Sequence, residues 1–125
     1  MATNYQRGAA FERKVAKDLE GYGYVTVRSA GSHSPSDVIA MQYGYIACVQ
    51  CKADGRLDPD EWNELWEFAQ LAGGTPVMAE PYKDGRKTGI IYRRLTSRKD
   101  GRGRQPWAFW TPQRERENDG NVPRA

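Results

Sequence analysis

Apolar residues recur at helical spacing near the start of the chain. Phe11, Val15, Leu19 and Tyr22 lie four, four and three residues apart, which puts them on one face of a helix. The spacing predicts a helix over residues 6–22, stopped by Gly21 and Gly23. The period then drops to two, and residues 24–28 read as a strand. Residues 29–36 are small and polar, with Gly31 and Pro35, and read as a loop. Asp37 opens a second short strand over residues 38–41. Gly44 marks a turn, and residues 45–52, rich in Ile, Val and Cys, form a third strand. Strands this close in sequence predict a hairpin.

A loop over residues 54–59 leads to a second helix. Asp58 or Asp60 can cap it, with Pro59 in its first turn. Trp62, Leu65, Trp66, Ala69 and either Leu71 or Ala72 supply its apolar stripe, and Gly73 and Gly74 end it. Residues 75–79 and 90–95 read as further strands, with a turn at 83–86. Residues 97–105 form a basic Gly/Arg loop. Residues 107–110 are a short aromatic strand expected to pack back on the body. The order α-β-β-β-α-β-β predicts an α/β domain with a mixed β-sheet of about five strands flanked by helices. One domain is expected over residues 1–111, with residues 112–125 as a polar flexible tail.

Length agrees with one domain: 125 residues can bury a single real core. The mean hydropathy of -0.84 is low. Four Trp, seven Tyr and three Phe nonetheless supply anchors that a disordered chain lacks. No stretch approaches the ~20 apolar residues of a membrane span, and no apolar run follows the first charges as in a secretion signal. Cys48 and Cys51 are therefore expected to be reduced thiols in a cytoplasmic protein, in a bacterial, archaeal or phage-infected cell.

The net charge of +3 conceals a segregation. Residues 53–82 hold one base against seven acids, whereas residues 83–104 hold nine bases against two acids. Dense local basic charge suits a phosphate backbone.

Asp37, Gln50 and Lys52 carry the candidate chemistry. Gln50 and Lys52 share a strand face about 6.6 Å apart, and a hairpin brings Asp37 beside them. A carboxylate, a second oxygen ligand and an ammonium on one sheet face suit metal-assisted phosphodiester cleavage. Other chemistries fit less well. Cys48 and Cys51 point to opposite faces of a strand, which argues against one zinc ion. His33 is the only histidine, so Ser-His-Asp and Cys-His catalysis are poorly supported. The Gly-Arg-Gly-Arg of residues 101–104 lacks the Gly-Lys-Ser/Thr ending of a P-loop.

The order and spacing of these residues resemble the archaeal-type Holliday junction resolvases, within the PD-(D/E)xK nuclease superfamily. The resemblance covers roughly residues 6–95. It rests on Arg7-Gly8, Glu12-Arg13, Gly23-Tyr24, Val27-Arg28-Ser29-Ala30-Gly31-Ser32, Ser36-Asp37-Val38-Ile39-Ala40, Val49-Gln50-Cys51-Lys52, Leu65-Trp66-Glu67-Phe68-Ala69 and Gly73-Gly74-Thr75-Pro76-Val77.

The resemblance implies a restriction-endonuclease-like core and an endonuclease that resolves four-way DNA junctions by paired symmetric nicks. It implies Mg²⁺, with Mn²⁺ able to substitute, and no small-molecule cofactor or membrane partner. Asp37 matches the metal-binding aspartate, Lys52 the catalytic lysine, and Glu12 the helix acid that completes the metal site. Ser32, or failing it Ser29, matches a loop serine that contacts the scissile phosphate. Arg13 and Arg28 match basic residues near the DNA backbone, and Arg7 more loosely; Arg102 and Arg104 lie in the basic segment expected to flank the DNA.

Two positions depart from the pattern. Ser36 stands where proline usually precedes the aspartate. Gln50 occupies the third ligand position, where glutamate is usual; an amide oxygen can ligate Mg²⁺ but brings no charge. This leaves two alternatives: an Mrr-like restriction or repair nuclease on duplex DNA, and a catalytically weak module that binds branched DNA. The resolvases act as homodimers, and a two-fold dimer suits two symmetric nicks. Trp62, Trp66 and Phe68 are therefore candidates for the dimer interface, with core packing as the other reading of that stripe.

Overall fold

A computed structural model describes residues 4–29 and 34–113. The first helix, α1 (Asn4–Gly21), leads into strands β1 (Val25–Arg28), β2 (Val38–Gln42) and β3 (Tyr45–Cys51). Helix α2 (Pro59–Ala72) follows, then β4 (Thr75–Asp84), β5 (Lys87–Leu95) and β6 (Trp107–Phe109). The strands form one six-stranded sheet in sequence order. All neighbours are antiparallel except β3 and β4, which are parallel and joined through α2. The predicted hairpin is β2–β3, and the aromatic segment after the basic loop joins the sheet as its sixth strand.

The two helices cover opposite faces. Val15, Ala16 and Leu19 of α1 pack on Val38, Ala40, Ala47, Val49, Val77, Ala79 and Tyr92. Trp62, Leu65 and Ala69 of α2 pack on Cys48, Met78, Leu57 and Leu95. Alternation explains the split, since Ala47 and Val49 face one way and Cys48 the other. With both faces covered, β3 can be apolar throughout its middle.

Local signals place α2 firmly. The Asp58 carboxylate accepts the Glu61 N–H at 2.8 Å, and the Glu61 carboxylate accepts the Asp58 N–H at 3.4 Å. This reciprocal box satisfies two of the donors that a helix start leaves open. Gly73 closes the helix at φ 69°, a left-handed conformation that glycine adopts without penalty.

Two expectations need correction. Strands β4 and β5 continue well past the predicted 75–79 and 90–95, as a hairpin arm whose residues 81–88 are all exposed. Sequence pattern misses such an arm because neither face is apolar. Packing also reaches two residues beyond 111. Pro112 is buried, the Gln113 N–H donates to the Tyr24 hydroxyl, and Gln42 donates to the Gln113 carbonyl. The remainder of the expected tail lies outside the described residues.

Candidate active site

Asp37 sits where the chain enters β2. Its N–H donates to the Val49 carbonyl at 2.8 Å, and its Oδ2 accepts the Cys51 N–H at 2.9 Å. Backbone on both sides therefore fixes the carboxylate. Ser36 occupies the place where proline is usual. Its side chain is buried, with Oγ 3.0 Å from the Val38 carbonyl and 3.3 Å from the Val49 carbonyl. The hydroxyl donates to one or the other and ties the chain's entry to β2 and β3.

The β2–β3 register pairs Val38 with Val49, so Asp37 falls opposite Gln50. Alternation puts Asp37, Gln50 and Lys52 on the α2 face. Gln50 Oε1 is buried and has no hydrogen-bond partner. Leaving a buried acceptor bare costs about 1–3 kcal/mol, so this oxygen is poised for a ligand. Lys52 continues the ladder, its N–H donating to the Ala79 carbonyl at 2.8 Å. Its ammonium Nζ lies 2.5 Å from Glu61 Oε2 at the start of α2. The turn after it is tight: Gly55 has φ 70°, and a side chain there would strike the Glu80 carboxylate.

Glu12 lies on α1, half-buried and near enough to Asp37 for the two charges to interact. Burial raises its pKa, the Asp37 charge adds to the rise, and Arg28 and Arg13 partly offset it. Burial also raises Asp37, against the Cys51 N–H and the Lys52 charge, which lower it; Glu61 adds to the rise. The same crowding pushes the Cys51 thiol far up, through burial first and then the Asp37 and Glu12 charges. Burial alone takes Cys48 up to about 11. Neither cysteine is a thiolate near neutral pH.

The metal expectation can be tested on the donors. Glu12, Asp37 and Gln50 offer oxygens only, which suits a hard divalent cation. Among the described residues no three His, Cys, Asp or Glu side chains cluster as a metal site; here the third donor is an amide. The unpartnered Gln50 oxygen and the oxygen-only donor set suit a hard divalent cation, so these residues fit the group.

Of the other candidates, Arg13 and Arg28 are exposed and line one open groove with Lys17, Ala16, Glu20 and Thr26. Arg7, Arg102 and Arg104 are exposed and do not line that groove. Ser32 lies outside the described residues. The chain on either side of it is anchored: the Ser29 N–H donates to the Asp37 carbonyl at 3.0 Å, and the Ser34 hydroxyl accepts from Ser36. The Ser29 hydroxyl is buried without a partner. Trp62 must be removed from the dimer candidates. It is 1% exposed, and its indole N–H donates to the Ser97 carbonyl at 2.9 Å. Trp66 and Phe68 are half-buried.

The sequence reading missed Glu61, Ser36 and Lys17. A carboxylate nine residues from the lysine carries no motif, though an acid three residues after a capping Asp was a visible helix-start signal. Lys17 sits one turn after Arg13 and could have been found by helical spacing.

The model of the archaeal Holliday junction resolvase family matches residues 3–120. The chain belongs to this family. The crossover junction endodeoxyribonuclease Hjc of Methanocaldococcus jannaschii is 31% identical over 83 residues, covering 63% of this chain and 62% of the relative. The match thus spans about three-fifths of that relative's length. The 1.6 Å structure of Archaeoglobus fulgidus Hjc, described as a Holliday junction resolvase from an archaeal hyperthermophile, superposes with a TM-score of 0.55. It is 23% identical, over 69% of this chain and 70% of that one. That likeness shows a shared α/β nuclease-like fold.

Proposed function

We propose that this protein is a divalent-metal-dependent endonuclease that resolves four-way DNA junctions. The observation that carries the reading is the single sheet face bearing Asp37, the unpartnered Gln50 oxygen and the Lys52 ammonium. Membership of the resolvase family supports it, as do the names of the relatives.

Glu12, Asp37 and Gln50 would hold Mg²⁺, with Mn²⁺ as a substitute. The ion would offset phosphate charge and lower the pKa of a water. The chain's own residues do the rest. Cys51 and Val49 backbone fix Asp37, so that its free oxygen keeps one direction. Lys52 brings a positive charge to the same face, where it orients the attacking water and stabilises charge developing on the phosphate. Ser32, between Ser29 and Ser34 in sequence, would seat the phosphate.

Arg13, Arg28 and Lys17 form a track for a phosphate backbone, and such contacts position DNA without reading its sequence. Arg7, Arg102 and Arg104 extend the basic surface. Two symmetric nicks call for two equivalent sites, and a two-fold homodimer supplies them. Phe68 is half-buried on α2, and Leu71 one turn on is 92% exposed; with Trp66 these are the side chains offered to a partner copy.

The test separates binding from chemistry. Lys52→Ala should bind a four-way junction as the parent protein does and lose cleavage by at least about 10²-fold, the scale for removing one charge-stabilising group. Parental cleavage by that variant would defeat the mechanism. Cleavage of linear duplex and junction alike would move the protein to a restriction or repair role. Binding with no cleavage by the parent protein would leave a branched-DNA-binding module.

A further inference from the structure

We infer that Glu61 is a positioning residue of this site: it neutralises and holds Lys52 so that the ammonium and a divalent cation can occupy the same face. The inference rests on the nuclease reading above.

Both oxygens of Glu61 are committed. Oε1 accepts the Asp58 N–H at 3.4 Å in the capping box, and Oε2 lies 2.5 Å from Lys52 Nζ. A capping glutamate on a surface helix has no need of a partner on the sheet. Here the cap fixes the first turn of α2, and the carboxylate fixed by that turn reaches the lysine. The pair is sheltered, with side chains 26% and 35% exposed, so solvent screens it less than a surface pair.

Charge counting gives the reason. Glu12 and Asp37 contribute two negative charges, Gln50 none and Lys52 one positive charge. Without Glu61 the face carries minus one, and an arriving divalent ion meets an ammonium on the residue two along from its own ligand. With Glu61 the face carries minus two, which balances the ion. The uncharged amide at position 50 thus has its compensation on another element.

Glu61→Gln is the informative variant, because glutamine serves equally at the third position of a capping box. Mg²⁺ binding is read by calorimetry on the whole protein without DNA. Glu61→Gln should weaken Mg²⁺ binding about tenfold, the scale of one partly screened charge at close range. The thermal midpoint should stay at the parental value. Adding Lys52→Met should bring Mg²⁺ affinity back to within about threefold of the parent, because no ammonium is left to oppose the ion. Unchanged affinity in Glu61→Gln would overturn the inference. Failure of the double variant to recover would overturn it too, since Glu61 would then act on the ion directly or only on the fold. The readout needs no cleavage, so a parent protein that binds Mg²⁺ but cuts no junction would sink the nuclease reading and leave this one standing.

Discussion

Asp37 occupies a place that works against its own charge. Burial raises its pKa above the ordinary 3.8. A carboxyl whose pKa is raised by folding binds its proton more tightly in the folded chain. It therefore costs stability as pH rises through the window between its unfolded and folded values, and the whole cost is present above the folded value. Asp37→Asn removes the charge and keeps an acceptor for the Cys51 N–H. In metal-free buffer it should melt higher than the parent at about pH 7, with the gain vanishing below about pH 4. A variant that melts lower at neutral pH would contradict the burial argument. At this scale the chemistry was legible where a period placed it. Asp37, Gln50 and Lys52 fall together because strand alternation and hairpin register leave no other arrangement. Glu61 and Ser36 were not legible, because each acts through a contact between separate segments, an ion pair and a hydroxyl bridge, that no spacing encodes.

Helix α2 shows what a stripe can and cannot say. Trp62, Leu65, Trp66, Phe68 and Ala69 span more than one helix face, and the pattern left core and interface unresolved. Loop 97–106 decides it: Ser97 takes the Trp62 indole N–H, and Asn63 exchanges hydrogen bonds with Lys99. Trp62 is thus sealed beneath the loop. Trp62→Ala should cost about 3–5 kcal/mol of folding stability, measured by denaturant titration; a loss below 1 kcal/mol would show that the site collapses around it. The same loop spends part of its charge internally, since Arg98 pairs with Glu67 and Asp100. The β4–β5 arm is basic too. It runs five residues beyond the Cys51–Ala79 pair, about 16 Å at strand rise, and carries Lys83, Arg86 and Lys87 near its tip. It leaves the sheet at the end where Lys52 lies. If the arm follows a DNA backbone, changing these three bases to Ala should reduce the slope of log affinity against log salt by about 2.7. An unchanged slope would place the arm off the DNA.

As a whole, the molecule is a six-stranded sheet with one helix packed on each face of its central strands. The architecture was readable from sequence because apolar period, glycine stops and a capping box agree along α1, β2, β3 and α2. The arm and the extra residues at 112–113 were not, because their pairing is long-range and their patterns are polar. The family match places this chain in the archaeal Holliday junction resolvase family, and the amide at position 50 is the residue that most tests a resolvase activity. One assay tests the account directly: a labelled four-way junction and a linear duplex of the same sequence, each incubated with Mg²⁺ or with EDTA. A resolvase makes paired, symmetric nicks in the junction, absent in EDTA and absent from the duplex. Equal cutting of the duplex, or binding of the junction with no cut in Mg²⁺ or Mn²⁺, would contradict it.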